Sequence, residues 1–167
     1  MIDSKQVKEL RDKTGVSVMQ CRKALEEAGG DIKNAEAILL KESHSFAQKK
    51  ADRTLAAGTV ASYIHNTGGI GAMVELLCET DFVARNKEFK DLAYNLAMQV
   101  AATDPKYLTE GDVLKEEKSD SLFSERVLLE QPFIKDPSLK INQLIESYVQ
   151  KFGEKITVSR FIRYSVS

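Results

Sequence analysis

The run Thr59-Val60-Ala61-Ser62-Tyr63-Ile64-His65-Asn66-Thr67-Gly68-Gly69-Ile70-Gly71-Ala72-Met73-Val74-Glu75-Leu76-Leu77-Cys78 has a period that nothing before it shares. Thr59, Ala61, Tyr63 and His65 alternate with Val60, Ser62 and Ile64, as in a strand. Asn66 to Gly69 supplies turn residues. Ile70, Ala72, Val74, Leu76 and Cys78 then resume the alternation. Met73 and Leu77 make the second face apolar too, which predicts a central strand covered on both faces. The two strands read as an antiparallel hairpin. The glycines at 68, 69 and 71 fit its turn better than a phosphate cradle, because strand patterns flank them on both sides.

Upstream the period is helical. Residues 4–13 suit a short helix through Val7 and Leu10, which Thr14-Gly15 breaks. Val18, Cys21, Leu25 and Ala28 share the face of a second helix, ended by Gly29-Gly30. Asp31 is placed to cap a third, whose stripe is Ile32, Ala35, Ile38 and Leu39. Residues 43–54, basic through Lys49, Lys50 and Arg53, continue as a helix or tether. Downstream, Asn86 is placed to cap a long helix carrying Phe89, Leu92, Ala93, Leu96, Ala97 and Val100, which Asp104-Pro105 ends. Residues 109–125 are polar and poorly periodic and predict a flexible connection. Arg126 to Glu130 is a short strand candidate. Ile141, Leu144, Ile145, Tyr148, Val149 and Phe152 form a last amphipathic helix. Ile156 to Val166 alternates as a last strand, with Arg160 and Arg163 on opposite faces. The order predicts an α+β fold: a three-helix head over residues 1–54, then a core over 55–167 with a small antiparallel sheet and packed helices.

The 167 residues include 24 basic and 25 acidic groups, so no global positive excess draws the chain to nucleic acid. The charge divides as net +2 over residues 1–54, −5 over 55–120 and +2 over 121–167. An acidic middle argues further against direct nucleic-acid binding. No apolar run reaches the ~18 residues of a membrane span. Met1-Ile2-Asp3-Ser4 has no basic-then-apolar pattern, so no secretory signal is expected. Cys21 and Cys78 make no disulfide framework, which fits a reducing compartment. With only His44 and His65, no Cys-x-x-Cys pair and no P-loop, neither a metal nor a nucleotide cofactor is expected. The chain reads as a protein that works by binding rather than as an enzyme.

Thr80-Asp81-Phe82-Val83-Ala84-Arg85-Asn86 closely resembles the signature of the elongation factor Ts family. Three further blocks resemble that family in the right order. They are Val7 to Gly15 with Met19 to Leu25, Leu128 to Asp136, and Gly153 to Ile156 with Arg160 to Arg163. The resemblance implies a guanine-nucleotide exchange factor for elongation factor Tu, acting on its GDP-bound form in translation elongation, with no cofactor of its own. It implies the cytoplasm of a bacterium, or a plastid or mitochondrial matrix in a eukaryote. Taken alone, Asp81 would be a helix cap and Phe82 a core residue. The resemblance instead places them at an exposed tip, inserting into the partner's G domain near its magnesium ion, flanked by Thr80 and Val83.

The head resembles the ubiquitin-associated three-helix fold through Ala24-Leu25, Gly29-Gly30-Asp31 and Ala35. Family docking positions fall on Leu10, Arg11, Val18 and Met19, with Val18 standing where methionine is frequent. Tyr63-Ile64-His65 with Gly68 and Gly71 resembles a hairpin whose histidine approaches the partner's nucleotide region. Family members carry two core halves, or one half with an inserted helical hairpin. The path from Pro105 to Leu128 has room for neither, so this is a short, single-half form. The resemblance implies a homodimer for single-half forms and leaves open whether this shortened one forms it. Two other readings stay open. One is an adaptor whose head binds ubiquitin-like partners. The other is an enzyme around His65, Glu75 and Glu79, although a strand spacing of four puts those carboxylates ~13 Å apart.

Overall fold

The computed structural model describes residues 2–166. The chain divides into two compact units, residues 1–52 with 146–155, and residues 53–145 with 156–167.

In the first unit, three helices form the head: α1 (Ser4–Thr14), α2 (Val18–Glu27) and α3 (Ile32–Lys49). Each start is capped. Asp3 and Gln6 close a capping box on α1, Ser17 accepts from the Gln20 amide, and Asp31 accepts from the Asn34 amide. Gly15 ends α1 at a φ of 69°, a left-handed conformation that a side chain would resist. Val7, Leu10, Val16, Cys21, Ala24, Leu25, Ala35 and Leu39 close the core between the helices. Within the same unit, His44 Nδ1 lies 2.8 Å from Glu146 Oε1.

The second unit is built on a sheet of β1 (Ala57–Ile64), β2 (Ile70–Cys78) and β5 (Ile156–Ser165), in the order β1-β2-β5 and antiparallel throughout. Ala57 pairs with Cys78 at one end and Ile64 with Gly71 at the other, as the hairpin pattern requires. A register shift between Glu75 and Leu76 leaves Ser159 as a bulge in β5. The helix α5 (Lys87–Thr103), capped by Asn86, covers one face of the sheet. It buries Phe89, Leu92, Ala93, Leu96, Ala97 and Val100 against Ala72, Val74, Leu76 and Cys78. Arg163 lies on that side and donates to the Ala101 carbonyl at 3.0 Å, while Arg160 pairs with Glu75 on the other.

Among the described residues, the expected cover on the second face of β2 is not there. Met73 is 47% exposed, and its neighbours Val60, Ile64, Ile162 and Tyr164 are exposed as well. An apolar pattern registers what a face could bury; only an element packed on it does the burying.

Residues 126–130 also differ from the strand expectation. They lie in 3-10 turns (Phe123–Arg126 and Leu128–Glu130), with one isolated bridge from Val127 to Tyr107. Val127 and Leu128 are consecutive and both fully buried, and no ladder beyond the single bridge at Val127 pairs this stretch as a strand. The polar stretch before them is not featureless. It carries 3-10 turns at Glu110–Asp112 and Glu117–Ser119, and its ends are tied together. The Lys106 and Tyr107 amides both donate to the Arg126 carbonyl, and the Leu128 amide donates to the Tyr107 carbonyl at 2.8 Å. Two short strands, β3 (Pro132–Phe133) and β4 (Asp136–Lys140), pair antiparallel before α6 (Ile141–Phe152).

Candidate functional site

The central strand runs straight into the signature. After Cys78 the chain passes through Glu79 to Thr80, which is extended (φ −129°, ψ 153°) and caps the one-turn helix α4 (Asp81–Ala84). The Thr80 hydroxyl accepts from the Val83 amide at 3.5 Å, and the Thr80 carbonyl accepts from Ala84 at 3.2 Å. Thr80 therefore takes the cap that Asp81 would hold on the ordinary reading. Asp81 is left exposed in the first turn, where the helix dipole favours a negative charge.

The turn has two opposite sides. Val83 is 3% exposed and Ala84 7%, so both are packed down, whereas Phe82 between them is 85% exposed. An aromatic ring left in water forgoes roughly 2–3 kcal/mol of burial. A four-residue turn with buried anchors and its largest apolar side chain outward is organised to offer that ring to something else.

The other expected contacts lie elsewhere. His65 stands at the hairpin end, where its amide donates to the Ile70 carbonyl at 2.8 Å and its carbonyl accepts from Gly68. Its Nδ1 is 3.3 Å from the Tyr63 hydroxyl, and Tyr63 packs edge-on against Tyr94 at 5.8 Å. Eight strand steps separate His65 from the end at Ala57 and Cys78, a distance of about 25 Å. The histidine and the Asp81-Phe82 pair thus occupy opposite ends of one sheet. In the head, Met19 is 81% and Val18 50% exposed on the first turn of α2, and Arg11 is exposed on α1. Leu10 is fully buried in the head core. Leu10 and Val83 therefore support exposed neighbours rather than present surfaces of their own.

The sequence passes over one feature. Ile134, between β3 and β4, is 41% exposed, and its amide is held at 2.9 Å by Oε1 of the fully buried Gln99. Gln99 also donates to Gln131 and to the Pro132 carbonyl, both at 3.1 Å. A glutamine inside the apolar stripe of α5 is the one signal that could have pointed to this clamp.

Little here resembles covalent catalysis. Glu75 accepts from the Ser159 hydroxyl and from Arg160, and these two donors, Ser159 first, hold its carboxyl below the usual range. Such a group stays ionised at neutral pH and is no proton donor. Among the described residues no cluster of His, Cys, Asp and Glu is fit to hold a metal ion, and no helix is long and apolar enough to cross a membrane.

Comparison with known proteins bears on the same residues. A family profile described as "Elongation factor TS" matches residues 40–121, which include the β1–β2 hairpin, the α4 turn and α5. The elongation factor Ts of Thermodesulfovibrio yellowstonii is 44% identical, over 99% of this chain and 96% of its own. The chain belongs to the elongation factor Ts family. Elongation factors Ts from Koribacter versatilis and Thermotoga petrophila are each 42% identical, covering 88% and 94% of their own lengths. Membership in the elongation factor Ts family puts the chain in translation elongation. The alignment with the Thermodesulfovibrio protein runs over 192 residues against 167 here, so it contains positions that this chain skips. That is what a short form of elongation factor Ts requires.

Proposed function

We propose that this chain is a guanine-nucleotide exchange factor for elongation factor Tu, acting on the GDP-bound form in the bacterial cytoplasm, with no chemical step of its own. The observation that carries this reading is Phe82, 85% exposed on a turn whose other side is buried. Phosphates and magnesium hold GDP by fixing one another. A rigid aromatic ring pushed among the helices around the magnesium site removes stability from the GDP-bound state and not from the empty one. Exchange factor and GDP then oppose each other, and linkage makes the opposition reciprocal. An aromatic ring suits the work because it brings large apolar area for two frozen torsions. Asp81 beside it places a carboxylate near the magnesium site.

The head, residues 1–54, supplies docking through Met19, Val18 and Arg11, while the core, residues 55–167, supplies the wedge. His65 also contacts the partner, at the far end of the sheet from Phe82. One copy cannot bring points about 25 Å apart to a single nucleotide site. A homodimer joined through the uncovered sheet face resolves this, with the hairpin of one copy beside the wedge of the other. The exposed apolar row of Val60, Ile64, Met73, Ile162 and Tyr164 supports that arrangement.

The direct test is stopped-flow release of labelled GDP from elongation factor Tu at saturating factor. Phe82→Ala is expected to slow release at least about tenfold, the usual loss at an interface anchor. Release at the parent rate would sink the wedge.

A further inference from the structure

A side chain left to itself in water contacts a partner poorly, because binding must first order it. For histidine the disorder is twofold. The ring turns about two torsions, and its neutral form carries the proton on either nitrogen. Which nitrogen bears it decides whether the ring donates or accepts at a given side. The exposed ring of His65 meets that problem. Hydrogen bonds to Ile70 and Gly68 fix its backbone, but they leave the ring to turn. Among the described residues, the one side-chain partner of the imidazole is the Tyr63 hydroxyl, 3.3 Å from Nδ1.

Tyr63 is held in a way that keeps this hydroxyl in place. Two residues before His65, it stands on the same side of the chain by strand alternation. It pairs with the buried Ala72, on the face of the sheet that α5 covers. From that helix Tyr94 meets the Tyr63 ring edge-on, with centroids 5.8 Å apart and planes at 69°. Edge-to-face contact is a favoured arrangement of two aromatic rings. The imidazole centroid lies 6.3 Å from the same Tyr63 ring, tilted by 47°. Packing accounts for the ring at this position and would accept phenylalanine as well. It does not account for the hydroxyl, whose partner among the described residues is the imidazole. A phenol is a better donor than an imidazole N–H, and an imidazole nitrogen a better acceptor than a phenol oxygen. The hydroxyl therefore donates to Nδ1, and the proton of the neutral ring stays on Nε2.

We propose that Tyr63 is a positioning residue for the partner contact of His65: its hydroxyl holds Nδ1, which turns the imidazole to one orientation and leaves the Nε2 proton to be donated to an acceptor oxygen on the partner. The inference rests on the reading of His65 as a contact made above. It does not involve Phe82, which lies toward the other end of the sheet. Nor does it involve the open face, since Tyr63 pairs with Ala72 while Met73 points to the opposite side.

The test reads the full chain in two ways. The first is a nitrogen–proton NMR spectrum of isotope-labelled histidine, taken at a pH well above ~6.5, the ordinary histidine value. The chain has only His44 and His65, and His65→Ala assigns the signals. In the parent, His65 should carry its proton on Nε2, with the Nδ1 signal displaced by its hydrogen bond. Tyr63→Phe keeps the ring against Tyr94 and should move both nitrogen signals toward those of free histidine. The second readout is release of labelled GDP from elongation factor Tu at factor concentrations below saturation. Tyr63→Phe should slow it roughly two- to fivefold, the worth of one modest hydrogen bond. In a His65→Ala background, Tyr63→Phe should cost nothing further, because its effect passes through the imidazole. The inference is overturned by a parent proton on Nδ1, by histidine signals that Tyr63→Phe leaves in place, or by an additive loss in the His65→Ala background. If circular dichroism shows that Tyr63→Phe does not fold, Tyr94→Ala, which frees the Tyr63 ring, is judged by the same criteria. A parent release rate in His65→Ala would overturn the reading of His65 as a contact. A slow His65→Ala with Tyr63→Phe at the parent rate would overturn only the positioning role.

Discussion

The head and the wedge both expose apolar side chains, but on different foundations. Met19 and Val18 ride the first turn of a ten-residue capped helix over an eight-residue core. Phe82 rides a single turn of four residues, pinned by a cap and two small buried anchors. A long helix offers a face, and a face suits affinity. A single pinned turn offers a point, and a point suits displacing something. The comparison predicts that damage to the head weakens binding, while damage to the wedge slows exchange in a complex that still forms.

The harshest way to break this separation is Val83→Asp. It sets a carboxylate in a site 3% exposed, at a cost of about 3 kcal/mol to local stability. Saturating exchange should be almost abolished while the factor still binds elongation factor Tu through its head, as read by calorimetry. Normal exchange from this variant would mean the turn need not be seated. Next in size, Val18→Ala with Met19→Ala should raise the dissociation constant about tenfold, as anchor truncations do, and leave the saturating rate unchanged. A rate loss without an affinity loss would exchange the roles of the two regions.

Thr80→Ala comes third. It removes the cap on α4, worth ~1 kcal/mol, and should slow saturating exchange by less than Phe82→Ala does. A loss as large as that of Phe82→Ala would move the essential contact from the ring to the backbone. The smallest effect belongs to a control outside both regions. The Glu75 carboxyl is held low, chiefly by the Ser159 hydroxyl and next by Arg160. Its contribution to stability is complete above the ordinary value of 4.5 and is lost as pH falls through the lower folded value. Glu75→Gln should therefore flatten the acid limb of the stability curve below pH 4.5, read by denaturant unfolding across pH. An unchanged acid limb would mean that the Ser159 and Arg160 donors add nothing to folded stability.

Much of this was legible where the signal is local. Gly68 and its flanking alternation read correctly as a hairpin, Asn86 as the cap of α5, and Asp31 as the cap of α3. Phe82 was legible only through its motif, since an aromatic after an apolar strand reads by itself as core. Other features were not legible, for physical reasons. Pro132, Asp136 and Pro137 mask β3 and β4, because turn-forming residues dominate both short strands. Val127 and Leu128 look like a strand, but they find no ladder beyond one bridge and the chain around them closes 3-10 turns instead. Leu10 was legible as core from its spacing to Val7, and only the resemblance set it beside Arg11 as a docking position. The grouping of residues 146–155 with the head is a long-range pairing that no local pattern encodes.

The tied ends of the loop between Tyr107 and Val127 make it a cassette. Hydrogen bonds at its base fix where the chain leaves and re-enters the core, so what lies between can change length without the sheet or the wedge noticing. Closing a flexible loop twice as long costs only about 0.6 kcal/mol more. The same base is the natural place to splice in a fluorescent reporter or an affinity handle while the exchange surface stays as it is.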